Sequence, residues 1–212
     1  QLVQESLAVL DHMETMKLPP LDHIVSSHNA VRSRAIAVLK AVLPHVTADW
    51  RKKTLNRVMA LLDDSSGVPT TQQEVVDIAG ALGAVVDEAD QARLSKQILR
   101  VPVDGEPKLA ESVLKSITAM GIVSDIAPIS ALYEMAKEGG EQWLGVKQSA
   151  MKAAQLNGSG LPLVIHALDD PVAAVRGDAA LAIEALQDAE VPAGGVLPVV
   201  ALAHHALKET DA

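Results

Sequence analysis

The sequence predicts an all-α chain, a solenoid of about five stacked helical hairpins. Three observations carry this. Apolar residues recur at helical spacing along nearly the whole length. One template, apolar at offsets 0, 4, 7 and 11, returns five times. No alternating apolar–polar run long enough for a strand occurs, and Val101-Pro102-Val103 reads as a linker.

The template opens at Val31, with Ala35, Val38 and Val42 on the same face. It returns as Val75, Ala79, Leu82 and Val86, then more weakly as Leu109, Val113, Ser116 and Met120. Val146, Ala150 and Ala153 carry it again, with Leu156 one position early. It is cleanest at Val175, Ala179, Ala182 and Leu186. The start points lie 44, 34, 37 and 29 residues apart, which suits two helices and their turns per unit. These are the second helices, predicted over 29–43, 71–86, 107–120, 143–156 and 172–186. First helices are predicted over 47–63, 88–100, 123–138 and 158–168, with terminal helices over 1–16 and 193–208. Breakers fall between them: Ser65-Ser66-Gly67 with Pro69, Asp104-Gly105 with Pro107, Gly139-Gly140, Asn157-Gly158, Asp169-Asp170-Pro171, and 189–192. Thr71 with Glu74 fits a capping box, and Pro20, Pro107 and Pro171 fit first-turn positions.

Composition bounds the function. The chain has 212 residues and a net charge of −9, from 18 Lys+Arg against 27 Asp+Glu. Apolar residues make up 49 % and suffice for a sizeable core of Ala, Leu, Val and Ile. Cys is absent, which excludes disulfides, a thiolate nucleophile and Cys-ligated metal sites. No run of about 18 uninterrupted apolar residues exists, so no membrane-spanning helix is expected. No basic-then-apolar signal peptide opens the chain. The start at Gln1 rather than Met suggests a trimmed form, a mature form whose signal peptide has been removed, or a portion of a longer protein. Compartment stays open, with the cytoplasm slightly favoured.

Leu168-Asp169-Asp170-Pro171, followed by Val175-Arg176, Ala179, Ala182-Ile183 and Leu186, resembles a HEAT repeat of the short bacterial style. Val31-Arg32, Ala35, Val38-Leu39 and Val42 resemble its second-helix half. Val146-Lys147, Ala150 and Ala153-Ala154 do so with Lys for Arg, and Leu61-Leu62-Asp63-Asp64 resembles the inter-helix turn. The units at Val75 and Leu109 lack the basic residue and rest on periodicity. The resemblance covers about residues 18–208. It implies a right-handed superhelix over 18–212, preceded by a capping helix or the end of an earlier repeat over 1–17. It further implies that the second helices line a concave face, and that Asp169 or Asp170 pairs with Arg176 to tie units together. On this reading Arg32, Lys147 and Arg176 serve structure.

Chemistry-bearing constellations are sparse. His204-His205 are adjacent, and consecutive helical residues point about 100° apart, so they do not share a metal. His23 and His28 with Asp22 bracket a turn. Gly158-Ser159-Gly160 reads as a turn between helices, and no nucleophile elbow, P-loop or dinucleotide fingerprint occurs. The acidic pairs Asp63-Asp64 and Asp169-Asp170 read as turns and caps. Arg176-Gly177-Asp178 spells an adhesion tripeptide, but inside a predicted helix. Catalytic residues, cofactors and metals are therefore expected to be absent. Trp50 and Trp143 read as packing at repeat junctions.

The expected function is that of a non-enzymatic scaffold or adaptor. It would bind another protein along the ridge of second helices through Arg34, Lys40, Lys115, Lys152 and Glu184. Those five helices carry eight basic and five acidic residues, a mild excess that suits an acidic partner segment. Nucleic acid is disfavoured: the basic stripe is weak and aromatic stacking platforms are scarce. The cluster Arg51-Lys52-Lys53 with Arg57 reads as a solvated outer face. A second reading follows from the resemblance of such repeats to phycobilin lyase subunits, which handle tetrapyrroles; the scarcity of aromatics weakens it. Val196 to Leu207 has apolar residues on several sides, so a further repeat or a second copy of the chain is expected against it.

Overall fold

The computed structural model describes residues 43–63, 69–186 and 200–203, with the isolated positions 41 and 206. Among these residues the chain is helical and contains no strand. Eight α-helices follow in order: α1 (Ala48–Asp63), α2 (Pro69–Gly83), α3 (Glu88–Ile98), α4 (Pro107–Met120), α5 (Ala127–Glu138), α6 (Leu144–Ala154), α7 (Leu161–Ala167) and α8 (Ala173–Ala185). Short 3-10 turns precede α1, α6 and α7. No described helix is long and apolar enough to cross a membrane. The expected helix over 1–16, and all but a few residues of those over 29–43 and 193–208, lie outside the described residues.

The boundaries follow local chemistry. Helix α3 opens at Asp87, whose carboxylate accepts from the N–H of Asp90 at 2.9 Å. It stops at Ile98, two residues earlier than expected, because Pro102 disfavours helical geometry at Val101. Helix α4 starts on Pro107 and ends on Gly121, which takes φ 73°, where L side chains are strained, and donates to Ile117 O and Thr118 O. Helix α5 begins at Ala127 rather than 123, since Asp125 caps its first N–H at 2.9 Å. Helix α2 begins on Pro69, so Thr71 lies inside the helix and does not cap it. A first-turn proline satisfies that end without a capping box. Pro171 lies in the turn before α8 rather than in its first turn.

Each odd-numbered helix pairs with its successor: α1 with α2, α3 with α4, α5 with α6 and α7 with α8. The even-numbered helices also pack in succession, α2 on α4, α4 on α6 and α6 on α8. One continuous apolar core results, from Leu43 through Leu82, Leu94, Leu114, Ile129, Met151 and Val164 to Ile183. Full burial of each large aliphatic side chain contributes roughly 1.5–3 kcal/mol. The template positions Val75, Ala79, Leu82, Leu109, Val113, Ser116, Val146, Ala150, Ala153, Val175, Ala179 and Ala182 are all buried.

Candidate functional site

The row of even-numbered helices buries its template positions and leaves only some of the intervening ones outward. Six residues past each template start stand Ala81, Lys115, Lys152 and Leu181, equivalent positions on four neighbouring helices. Ala81 is half-buried and the other three are exposed, Leu181 by 64 %. Glu184 is exposed one turn beyond Leu181. The expected ridge residues Lys115, Lys152 and Glu184 therefore share one outward surface, while Arg34 and Lys40 lie outside the described residues.

Neighbouring ridge residues interact. Lys115 Nζ lies 2.6 Å from Glu111 Oε1 within α4. The Glu111 carboxyl group rests over Gly145 at the start of α6, where an added Cβ would come within 2.7 Å of it. Gln148 Nε2 on α6 donates to Asp178 Oδ2 on α8 at 2.8 Å. Arg176-Gly177-Asp178 is helical within α8, with Arg176 Nη1 donating to Asp170 O and Pro171 O and Asp178 engaged by Gln148. That is not the exposed loop an adhesion tripeptide needs.

The mild basic excess does not extend to the described part of the ridge. Over the predicted second helices from 71 to 186 the residues balance, five basic against five acidic. The excess comes from Arg32, Arg34 and Lys40, outside the described residues. Lys147 is moreover buried, so it adds no charge to the surface. What remains is mixed, with Glu74 and Asp77 on α2, Lys108, Glu111 and Lys115 on α4, Lys152 on α6, and Arg176, Asp178 and Glu184 on α8.

Behind the ridge lies a buried polar centre that sequence reasoning did not assemble. Lys147 Nζ on α6 sits 3.1 Å from Asp170 Oδ2, with side chains only 6 % and 0 % exposed. The hydroxyl of Tyr133 on α5 donates to Asp170 Oδ2 at 2.8 Å, and the N–H of Val172 donates to Oδ1 at 2.9 Å. Burial by itself raises the Asp170 carboxyl, but the Val172 N–H, the Tyr133 hydroxyl and the Lys147 ammonium outweigh it. They hold the group below its ordinary value. Burial, and then the hydrogen bond and negative charge of Asp170, push the Tyr133 phenol well above its ordinary range. The phenol thus stays protonated and the carboxylate ionised, each satisfying the other. The Asp170 carboxylate, in the turn before α8, thus joins that turn to Lys147 on α6. Arg176 also donates to the backbone carbonyls of Asp170 and Pro171 in the same turn. The usable signals were Lys147 at the same template offset as Arg176, and Tyr133 as the chain's single tyrosine.

At the edge of this centre the Tyr133 ring meets His166 in a T-shaped contact, with centroids 6.3 Å apart. His166 Nε2 lies 2.9 Å from Lys137 Nζ and 3.3 Å from Glu134 Oε1. Trp143 is buried, and Trp50 packs partly buried against the core. Arg51 donates to Val46 O and Val85 O, whereas Lys52 and Lys53 are exposed. Asn157 caps the Gly158–Gly160 turn, accepting from Ser159 N–H at 2.9 Å. His23, His28 and His204-His205 lie outside the described residues. No family model, no curated protein and no solved structure matches the chain.

Proposed function

We propose that this chain is a HEAT-like α-solenoid acting as a non-enzymatic scaffold or adaptor, which binds another protein along the ridge of its second helices. One observation carries the reading. Lys115 and Lys152 occupy equivalent exposed positions on two helices that pack side by side, with Leu181 at the next step of the same row. Exposed charge repeated from helix to helix is a surface that an elongated partner meets several times. A large exposed apolar side chain among polar ones is the kind of anchor a partner buries. The flanking lysines steer an acidic approach.

The experiment is a pull-down from the native source, in moderate salt, with and without nuclease. Wild type is compared with Lys115→Ala/Lys152→Ala and with Arg34→Ala/Lys40→Ala. The expected result is a defined protein partner that survives nuclease and is lost from the Lys115→Ala/Lys152→Ala bait. A partner captured equally by all baits overturns the ridge assignment. Retention that disappears with nuclease, and with rising salt, overturns the adaptor reading in favour of nucleic acid.

A further inference from the structure

The spacing of the ridge selects the conformation of what it binds. Neighbouring even-numbered helices pack side by side: the Glu111 carboxyl group on α4 lies over Gly145 on α6, and Gln148 on α6 donates to Asp178 on α8. Helices packed in this way lie about 8–10 Å apart, so equivalent outward side chains repeat at about that distance. Lys115, Lys152 and Leu181 are three successive members of such a row.

An extended segment lying across the helices must repeat its own side chains at the same distance. A β-strand fails this test, because its same-face residues recur every second position, about 6.6 Å or 13 Å apart. An α-helix repeats one face about every 5.4 Å, or about 10.8 Å over two turns. A polyproline II segment has three residues per turn and a rise of about 3.1 Å, so one face recurs about every 9.3 Å. Only the last matches the ridge.

Resting on the adaptor reading, we infer that the ridge binds a partner segment in polyproline II conformation, with acidic residues at positions i and i+3 and an apolar residue at i+6. The two acids face Lys115 and Lys152, and the apolar residue covers Leu181. Glu111 already pairs with Lys115 at 2.6 Å, so the acid opposite Lys152 contributes more than the acid opposite Lys115. Asp178 and Glu184 flank Leu181 on α8 and favour basic residues beside the apolar one. A continuous polyanion is excluded by the same two carboxylates, since its charge would run over them.

The test uses the whole chain and synthetic proline-rich peptides. The in-register probe is Pro-Glu-Pro-Pro-Glu-Pro-Pro-Leu-Pro-Lys. Two controls carry the same Glu, Glu and Leu at every second or every fourth position. Binding is read by amide chemical-shift titration, with the fold of each variant checked by circular dichroism. The in-register peptide is expected to bind, with shifts confined to the faces of α4, α6 and α8 around Lys115, Lys152 and Leu181. Lys152→Glu is expected to weaken it about tenfold, and a peptide with Lys in place of the second Glu is expected to recover affinity for that variant. Equal binding of all three spacings, or no recovery by the swapped peptide, overturns the inference. If no peptide binds the ridge, the inference also fails. The adaptor reading then stands or falls separately, on the loss of its captured partner from the Lys115→Ala/Lys152→Ala bait.

Discussion

Two junctions in the same row of helices are held together by opposite means. Between α2 and α4 the residue after each template start is apolar and fully buried: Val76 on one helix, Ala110 on the other. The backbones close directly there. A Cβ added at Gly80 would stand 2.6 Å from Ser116 Cβ, and Ser116 Oγ donates to Val76 O at 3.0 Å. Gln91 from α3 finishes the joint, its amide donating to Gly83 O at 2.8 Å and Met120 O at 3.1 Å. Between α6 and α8 the equivalent residue is Lys147, and the turn before α8 supplies Asp170 to meet it. The lesson concerns where specificity comes from. Small residues hold a junction through close approach, which depends on volume alone. A buried charge holds it only if one particular carboxylate arrives, at a desolvation cost that hydrophobic contacts do not incur.

The largest effect is expected from breaking the charged junction. Asp170→Ala leaves the Lys147 ammonium buried without its counter-charge and Tyr133 without its acceptor. Removing one member of a buried pair costs about 3–5 kcal/mol. Urea denaturation is expected to show that loss. The double variant Asp170→Ala/Lys147→Met is expected to recover much of it, because the uncompensated charge is gone. If the double variant is as unstable as the single one, the carboxylate acts through the Val172 turn and not through Lys147.

The same junction gives a pH signature that the apolar one lacks. Folding lowers the Asp170 carboxyl below its ordinary value of 3.8. Its contribution is therefore complete above that value and is lost as pH falls through the lowered folded value. The stability gap between wild type and Asp170→Asn is expected to narrow on acidification below pH 3.8. The alkaline limb has the opposite sign. Folding raises the Tyr133 phenol above its ordinary value of 10.0, so that contribution is complete below 10.0 and is lost as pH rises beyond it. Tyr133 is the single tyrosine of the chain, so its ionisation is read directly by ultraviolet absorbance. The native protein is expected to show no tyrosinate band just above pH 10.0, and the band is expected to appear with unfolding. A band titrating normally in the folded protein would refute the buried hydrogen bond.

The apolar junction breaks by volume. Gly80→Ala places a methyl group against Ser116 Cβ, Oγ and Cα, and the last of these is backbone, which cannot rotate away. Overpacking of this kind costs about 1–3 kcal/mol, less about 1 kcal/mol regained in helix propensity. A net loss of up to about 2 kcal/mol is expected, and Ser116→Gly in the same chain is expected to relieve the Cβ and Oγ share of it but not the contact with Cα. Additive losses in the double variant would show that the two helices do not meet there.

How much of this was legible in the sequence differs between the two junctions. The helices were, because apolar residues at offsets 0, 4, 7 and 11 and the Gly, Pro and Asp-rich breakers act locally. Helix α4 runs from Pro107 to Met120, the span that pattern predicts. The boundaries at Ile98, Ala127 and Pro69 moved for capping or proline reasons, by two to four residues. The polar centre was not legible. Lys147 and Asp170 are 23 residues apart, Tyr133 and Asp170 37, and sequence offers Arg176 as a nearer partner for the turn carboxylate. Burial singles out Lys147 for the Asp170 carboxylate, because an enclosed ammonium needs a counter-charge. On the ridge Lys115, Lys152 and Glu184 are exposed, while Lys147, read as structural, is buried.

The smallest expected effect has the opposite sign and sharpens the contrast between close and open positions. Gly177 lies within α8, is exposed, and an added Cβ there meets nothing within 4 Å. It stands where α2, α4 and α6 carry Asp77, Glu111 and Gln148, so the fold tolerates side chains at this place in the row. Gly177→Ala removes the backbone entropy cost of glycine without any steric penalty and is expected to stabilise the chain by about 0.5–1 kcal/mol. It also interrupts Arg176-Gly177-Asp178 while leaving the Arg176 and Asp178 hydrogen bonds in place. A thermal midpoint raised in Gly177→Ala and lowered in Gly80→Ala would show that one substitution, made at two glycines in the same row, reports whether a neighbouring helix lies against that face. A lowered midpoint in Gly177→Ala would mean that something packs on α8 at the ridge.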